Sequence, residues 1–270
     1  MRLGISSWTF TWNVGVEGYS PEQPLRVADL LDRAAILGVK VLQVADNLPL
    51  HCLPAEEKVA FSQKAKDLGV QLEVGTRGIQ EENLERYLAL ALQLGSPILR
   101  VVIDAPGFRP EPADVVTLLK GVMPAFEERG VCLAIENHDR FKARTLAEII
   151  EKVGSASVGI CLDTVNSFGA LEGPEVVVPT LAPYTVNLHL KDFVIARSQH
   201  MMGFEISGCP LGEGRLEVGW LLEMLDRSHR DPNAILELWT PAAETLAATC
   251  AREAAWAERS VRNARRWILD

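Results

Sequence analysis

From Leu3 onward, short apolar runs of strand length alternate with helix-period segments, and Gly38, Gly69, Gly95, Gly130 and Gly154 fall where helices stop. Glycine at that position takes the left-handed helix cap without a Cβ penalty. The pattern predicts strands over residues 3–8, 39–45, 70–75, 98–103, 131–136, 158–163, 185–190 and 234–238. It predicts helices over 24–37, 54–68, 81–94, 112–129, 146–153, 176–181, 219–228 and 242–268. Strict alternation at this count points to an α/β chain closed as a (β/α)8 TIM barrel, with residues 1–270 forming one domain. No GxGxxG follows the first strand, which counts against an open dinucleotide-binding sheet.

Side-chain alternation then tells which residues face the barrel interior. If Glu136 points inward, Ala134 and Cys132 do too; the same phase puts Asp163, Cys161 and Gly159 inside, then His189, Asn187 and Thr185, then Glu237 and Ile235. In the first half it selects Ser6, Trp8, Gln43, Ala45, Glu73, Gly75, Arg77, Arg100 and Asp104. An interior this polar needs internal partners or a ligand.

Four of the apolar runs end in metal-capable side chains. They are Leu133-Ala134-Ile135-Glu136-Asn137-His138-Asp139, Ile160-Cys161-Leu162-Asp163-Thr164-Val165-Asn166, Val186-Asn187-Leu188-His189-Leu190-Lys191-Asp192 and Ile235-Leu236-Glu237-Leu238-Trp239. In a barrel the chemistry sits at the C-terminal strand ends, and parallel neighbours roughly 4.8 Å apart bring Glu136, Asp163, His189 and Glu237 to one point. Three carboxylates and one imidazole suit Mn2+, Mg2+ or Co2+, and Zn2+ also fits; the absence of cysteine counts against a structural zinc site. The bland alternative, a set of internal salt bridges around a core histidine, leaves buried acids repelling one another without a cation.

Those motifs resemble the xylose isomerase-like TIM barrel superfamily of sugar phosphate isomerases and epimerases along essentially the whole chain. The resemblance implies that Glu136, Asp163, His189 and Glu237 are metal ligands. It also implies that the two glutamates are catalytic, exchanging a proton with a substrate carbon from opposite faces through a metal-stabilised enediolate. Where many epimerases of the superfamily carry a histidine after the strand 6 aspartate, this chain has Val165 and Asn166; their arginine after the strand 7 histidine has its nearest counterpart in Arg197. The leading expectation is an isomerase or epimerase acting on a small sugar or keto-sugar. The alternative is a lyase, a decarboxylase or β-eliminating enzyme, using the same site on a 3-oxo sugar or sugar acid.

Trp8, Arg77, His138, Asn166, Lys191 and Arg197 are expected to contact substrate. Trp12 and Trp239 join Trp8 where the barrel closes and offer aromatic faces to a sugar. Arg100 is expected to pair with Glu73 in the barrel floor. Lys191 is expected either at an enolate oxygen or in a salt bridge to a ligand carboxylate. The stretch 193–217 reads as a glycine-hinged lid loop.

A net charge of −9 disfavours nucleic acid, and with it a repair endonuclease on the same barrel. A catalytically dead binding protein would have lost a ligand, and none is lost. Five scattered cysteines without a CxxC pair, and no apolar run near bilayer length, predict a soluble cytoplasmic protein with reduced thiols and no membrane partner. The arginines of the final helix suit a solvated face or a contact in a homo-oligomer.

Overall fold

The computed structural model describes residues 1–270. Eight parallel strands close on themselves: β1 (Leu3–Ser6), β2 (Val41–Val44), β3 (Gln71–Arg77), β4 (Ile98–Val102), β5 (Cys132–Glu136), β6 (Val158–Asp163), β7 (Thr185–Leu190) and β10 (Asn233–Leu236). Between β7 and β10 the chain inserts an antiparallel pair, β8 (Asp192–Arg197) and β9 (Phe204–Cys209). The barrel closes through parallel pairing of β1 with β10, Leu3 opposite Ala234.

A short α1 (Thr11–Val14) follows β1, and the outer ring consists of α2 (Val27–Leu37), α3 (Ala55–Leu68), α4 (Glu81–Leu94), α5 (Pro112–Arg129), α6 (Ala143–Val153), α7 (Pro174–Leu181), α8 (Val218–Arg227) and α9 (Leu246–Ala264). Five of these helices end on the expected glycines, with φ between 64° and 68°. The main apolar core lies between barrel and helices, for example Leu72, Val74, Leu99, Val101, Leu133 and Ile135 against Leu84, Leu88, Leu119 and Phe126. Their strand positions alternate with the polar interior, as the pleat requires.

Several expectations change. Strand β1 ends at Ser6, and Ser7–Phe10 form a 310 turn. Ser6 drives this, its hydroxyl accepting from Trp8 N at 2.9 Å while its own N–H donates to Thr9 Oγ1 at 2.8 Å. The last helix starts at Leu246, capped by the Thr245 hydroxyl, and ends at Ala264. The 193–217 stretch is a hairpin with a return loop, not an irregular lid.

The inward phase also breaks once. The β6–β7 register runs Ile160 to Thr185 and then Cys161 to Asn187, so β7 carries one extra residue at Val186. Thr185 therefore faces outward, donating to Leu181 O at 2.9 Å, and Val186 packs with Ile98, Ala134 and Cys161 at the floor. A Cβ at position 159 would lie 2.6 Å from Val186 Cγ1, so Gly159 makes room for the bulge. Above it, Asp163 stands level with His189.

Candidate metal-dependent active site

Glu136, Asp163, His189 and Glu237 meet at the C-terminal mouth of the barrel, each almost fully buried. His189 Nδ1 lies 3.3 Å from Glu136 Oε2, 3.5 Å from Glu237 Oε2 and 3.7 Å from Asp163 Oδ2. Donors around one small divalent ion at about 2.0–2.2 Å stand roughly 3.0–3.6 Å apart, so these separations suit a shared ion. Asp163 Oδ2, His189 Nδ1 and both Glu237 oxygens are buried without a hydrogen-bond partner. Buried acceptors converging on one point are costly unless something cationic joins them, a part that Lys191 plays for Asp163 and Glu237 in the metal-free site.

Neighbouring contacts aim these atoms. Asp163 Oδ1 accepts from Val165 N and Asn166 N at 2.8 Å each, which leaves Oδ2 for the centre. Asn137 clamps the Asp163 backbone, donating to its O at 2.8 Å and accepting from its N at 2.7 Å. His189 Nε2 donates to Gln43 Oε1 at 2.7 Å, which turns Nδ1 toward the three carboxylates.

Lys191 Nζ lies 2.8 Å from Asp163 Oδ2 and 2.9 Å from Glu237 Oε2, in ionic contact with both. Burial disfavours its charge, but Asp163, Glu237 and Glu136 outweigh that and raise its pKa above the ordinary lysine value. Burial likewise pushes Asp163 up, while Lys191 and His189 hold it well below the usual carboxylate range. For His189, Glu237 and Glu136 overcome burial and raise the value. Cys161 also borders the cluster, but burial pushes its thiol well up, and a neutral thiol is a poor ligand.

The two glutamates differ. Glu136 has both oxygens engaged, Oε1 by Asn166 Nδ2 at 2.7 Å and Oε2 by the Arg100 guanidinium. Glu237 accepts no hydrogen bond; its Oε2 meets Lys191 Nζ at 2.9 Å and its Oε1 is free. Arg100 thus pairs with Glu136, and with Asp46 Oδ1 at 2.9 Å, rather than with Glu73. The register explains it: Arg100 stands beside Gly75, a layer above Glu73, and the missing Cβ there leaves room for its stem to rise. Asp46, unforeseen as a site residue, also takes Arg77 Nε at 3.2 Å.

A cleft of about 480 Å3 opens above, lined by Trp8, Trp12, Arg77, Arg100, Glu136, His138, Asn166, Lys191, Glu237 and Trp239 among others. Five of the six expected substrate contacts are therefore brought together. Arg197 is not: it sits exposed on β8 with its guanidinium 4.3 Å from the Phe204 ring centroid. The hairpin instead contributes Ile206, Ser207 and Gly208 to the cleft wall. The alternation of Phe193 and Ile195 with Phe204 and Ile206 around Gly203 is the signal that would have shown it.

The family model described as xylose isomerase-like TIM barrel matches residues 31–268. The chain belongs to the xylose isomerase-like TIM barrel family. This xylose isomerase-like barrel is 34% identical over 261 residues to the 3-oxo-isoapionate decarboxylase of Pectobacterium atrosepticum, covering 97% of this chain and 94% of that one. Among solved structures it resembles the D-psicose 3-epimerase of Clostridium cellulolyticum H10, crystallised with D-tagatose, at TM-score 0.73 and 15% identity over 100% of both chains. It also resembles a xylose isomerase domain protein from Planctomyces limnophilus at TM-score 0.71 and 19% identity, covering 99% of this chain and 98% of that one. At those identities the structural likenesses establish the fold alone. No helix of this barrel is long and apolar enough to cross a membrane.

Proposed function

We propose that this protein is a divalent-metal-dependent decarboxylase acting on a 3-oxo sugar acid. The observation that carries the reading is the inequality of the two glutamates. An epimerase that removes a proton on one face and returns it on the other needs two carboxylates free to exchange protons. Here both Glu136 oxygens are taken by Arg100 and Asn166, whereas Glu237 accepts no hydrogen bond and meets Lys191 through Oε2 alone, which leaves Oε1 free. Loss of CO2 needs no base to begin, so the asymmetry is no handicap to it. The 34% identical relative bears the name of a decarboxylase, which supports the same reading.

Charge at the mouth agrees. Glu136, Asp163, Glu237 and Asp46 face Arg77, Arg100 and Lys191, four negative charges against three positive. A divalent ion turns the remaining negative charge into a positive one, which suits a substrate bearing one carboxylate. Glu136, Asp163, His189 and Glu237 would hold that ion, and its Lewis acidity would offset negative charge at the 3-oxo oxygen, worth several kcal/mol.

The chain's own residues account for the rest. Arg77 has its Nε on Asp46 and lines the cleft, so its terminal edge is available to orient a carboxylate. The tryptophans pack the carbon skeleton and exclude water. When the bond between the α-carbon and the carboxylate breaks, its electron pair stays with the α-carbon and its conjugated carbonyl. Lys191, held charged at the cleft floor, supplies the proton that restores the C–H bond.

The test is to incubate the Mn2+-loaded protein in deuterated water with 3-oxo sugar acids and, separately, with ketoses. Stoichiometric CO2 and one deuterium in the product support the decarboxylase. Deuterium washed into an unchanged or epimerised ketose, without CO2, would replace it with the second reading, an isomerase or epimerase. That reading keeps one specific support: Glu136 and Glu237 both line the cleft.

A further inference from the structure

Below the candidate metal ligands, the barrel interior holds a closed polar network that neither the proposed reaction nor the four ligands account for. Glu73 is fully buried. Its Oε2 accepts from Gln43 Nε2 at 3.0 Å and Asn187 Nδ2 at 2.9 Å, and its Oε1 accepts from Asn233 Nδ2 at 2.7 Å. Gln43 uses its second N–H on Asn187 Oδ1, also at 3.0 Å, and that oxygen takes the Cys161 thiol at 3.4 Å. Gln43 Oε1 is left facing His189 Nε2 at 2.7 Å.

We propose that Glu73 is a positioning residue for metal binding, which sets the tautomer of His189 through Gln43. A carboxylate accepts and cannot donate, so every amide touching it must present its NH2 group. That requirement fixes the orientation of Gln43, an amide whose two ends are otherwise nearly interchangeable in shape. With its NH2 turned to Glu73 and Asn187, its carbonyl oxygen must face the imidazole. An oxygen there accepts only, so His189 carries its proton on Nε2. Nδ1 is then a bare lone pair among Glu136, Asp163 and Glu237. One buried charge on β3, far from the mouth in chain terms, therefore decides which end of a ring on β7 is a ligand. Reversing the amide would set an NH2 against Nε2, favour the proton on Nδ1 and close the site to a cation. This inference rests on the reading of His189 as a metal ligand.

The experiment compares wild type, Glu73→Gln, Gln43→Met and Asn233→Ala. Affinity for Mn2+ alone is measured by titration calorimetry, and thermal stability is measured on the metal-free proteins. In parallel, the metal-free proteins with 15N-labelled histidine are studied by NMR in alkaline buffer, where the ring is neutral. Glu73→Gln and Gln43→Met are expected to weaken Mn2+ binding about 10- to 100-fold, the usual range for an outer partner of a ligating histidine. The His189 ring is expected to shift from pure Nε2–H to a mixture in both. Asn233→Ala removes only the contact on the far Glu73 oxygen, so it is expected to lower the melting temperature while leaving affinity within about twofold of wild type. Gln43→Met keeps the test alive if Glu73→Gln does not fold. Unchanged affinity and an unchanged tautomer in the first two variants would overturn the proposal, and so would equal weakening in Asn233→Ala. A wild type that binds no Mn2+ would sink the metal reading itself, and the tautomer spectra would then judge the relay separately.

Discussion

Lys191 is the residue on which the metal-free site depends. It lies between Asp163 and Glu237 where burial leaves little water to share the charge. Removing one partner of a buried ionic cluster leaves the others uncompensated, at a cost of about 3–5 kcal/mol. Lys191→Met is expected to lose that much stability in urea unfolding of metal-stripped protein, and distinctly less with saturating Mn2+, which supplies the missing positive charge. The same residue fixes a pH dependence. Its folded pKa is raised, so its contribution is complete below the unfolded value near 10.4 and is lost as pH rises beyond it. Asp163 is depressed, so its contribution is complete above about 3.9 and is lost as pH falls below that. Metal-stripped wild type should lose stability on both limbs, and Lys191→Met should flatten the alkaline one.

At the scale of elements, the β8–β9 hairpin is held to the mouth by two contacts of different kinds. Asp192 gathers the return loop, its carboxylate accepting from Phe193 N, Gly212 N, Gly214 N and Leu216 N between 2.8 and 3.0 Å. Gly208 lets β9 lie directly on Trp239, since a Cβ there would be 2.2 Å from Trp239 O. Asp192→Ala strands those N–H groups and is expected to cost about 1–3 kcal/mol, with faster proteolysis of the 198–203 turn. Gly208→Val must push the hairpin off Trp239 and open the cleft wall. Its expected signature is a KM raised roughly tenfold or more with a smaller change in kcat, because the wall contacts substrate rather than the reacting bond. A lowered kcat with KM unchanged would place the hairpin in the chemical step.

For the whole molecule, the four candidate ligands come from β5, β6, β7 and the end of β10, and β10 also pairs with β1 to close the barrel. An ion held there ties together strands that are distant in sequence, and it binds the folded state alone. Mn2+ at about 100 times its Kd should add about 2.7 kcal/mol, seen as a melting shift of several degrees in differential scanning calorimetry. His189→Ala removes a ligand and should abolish most of that shift. An unchanged shift in the variant would mean that the ion binds elsewhere.

What the sequence determined is what short-range pattern can carry. Apolar runs, helix stops at glycine and the period of two along each strand located all eight barrel strands to within a few residues and put Glu136, Asp163, His189 and Glu237 on one face at one end. Those properties depend on neighbours along the chain and need no knowledge of what lies across the sheet. Alternation around Gly203 carried the hairpin as well, but the length of 193–217 masked it. Partner choice between strands was decided only by the tertiary structure. Arg100 reaches Glu136 because it stands beside Gly75 instead of Glu73, and the bulge at Val186 levels Asp163 with His189. The link from Glu73 through Gln43 to His189 spans three strands. Register across a closed barrel follows from the stagger that closure imposes on all its strands together, and no single stretch of sequence contains it.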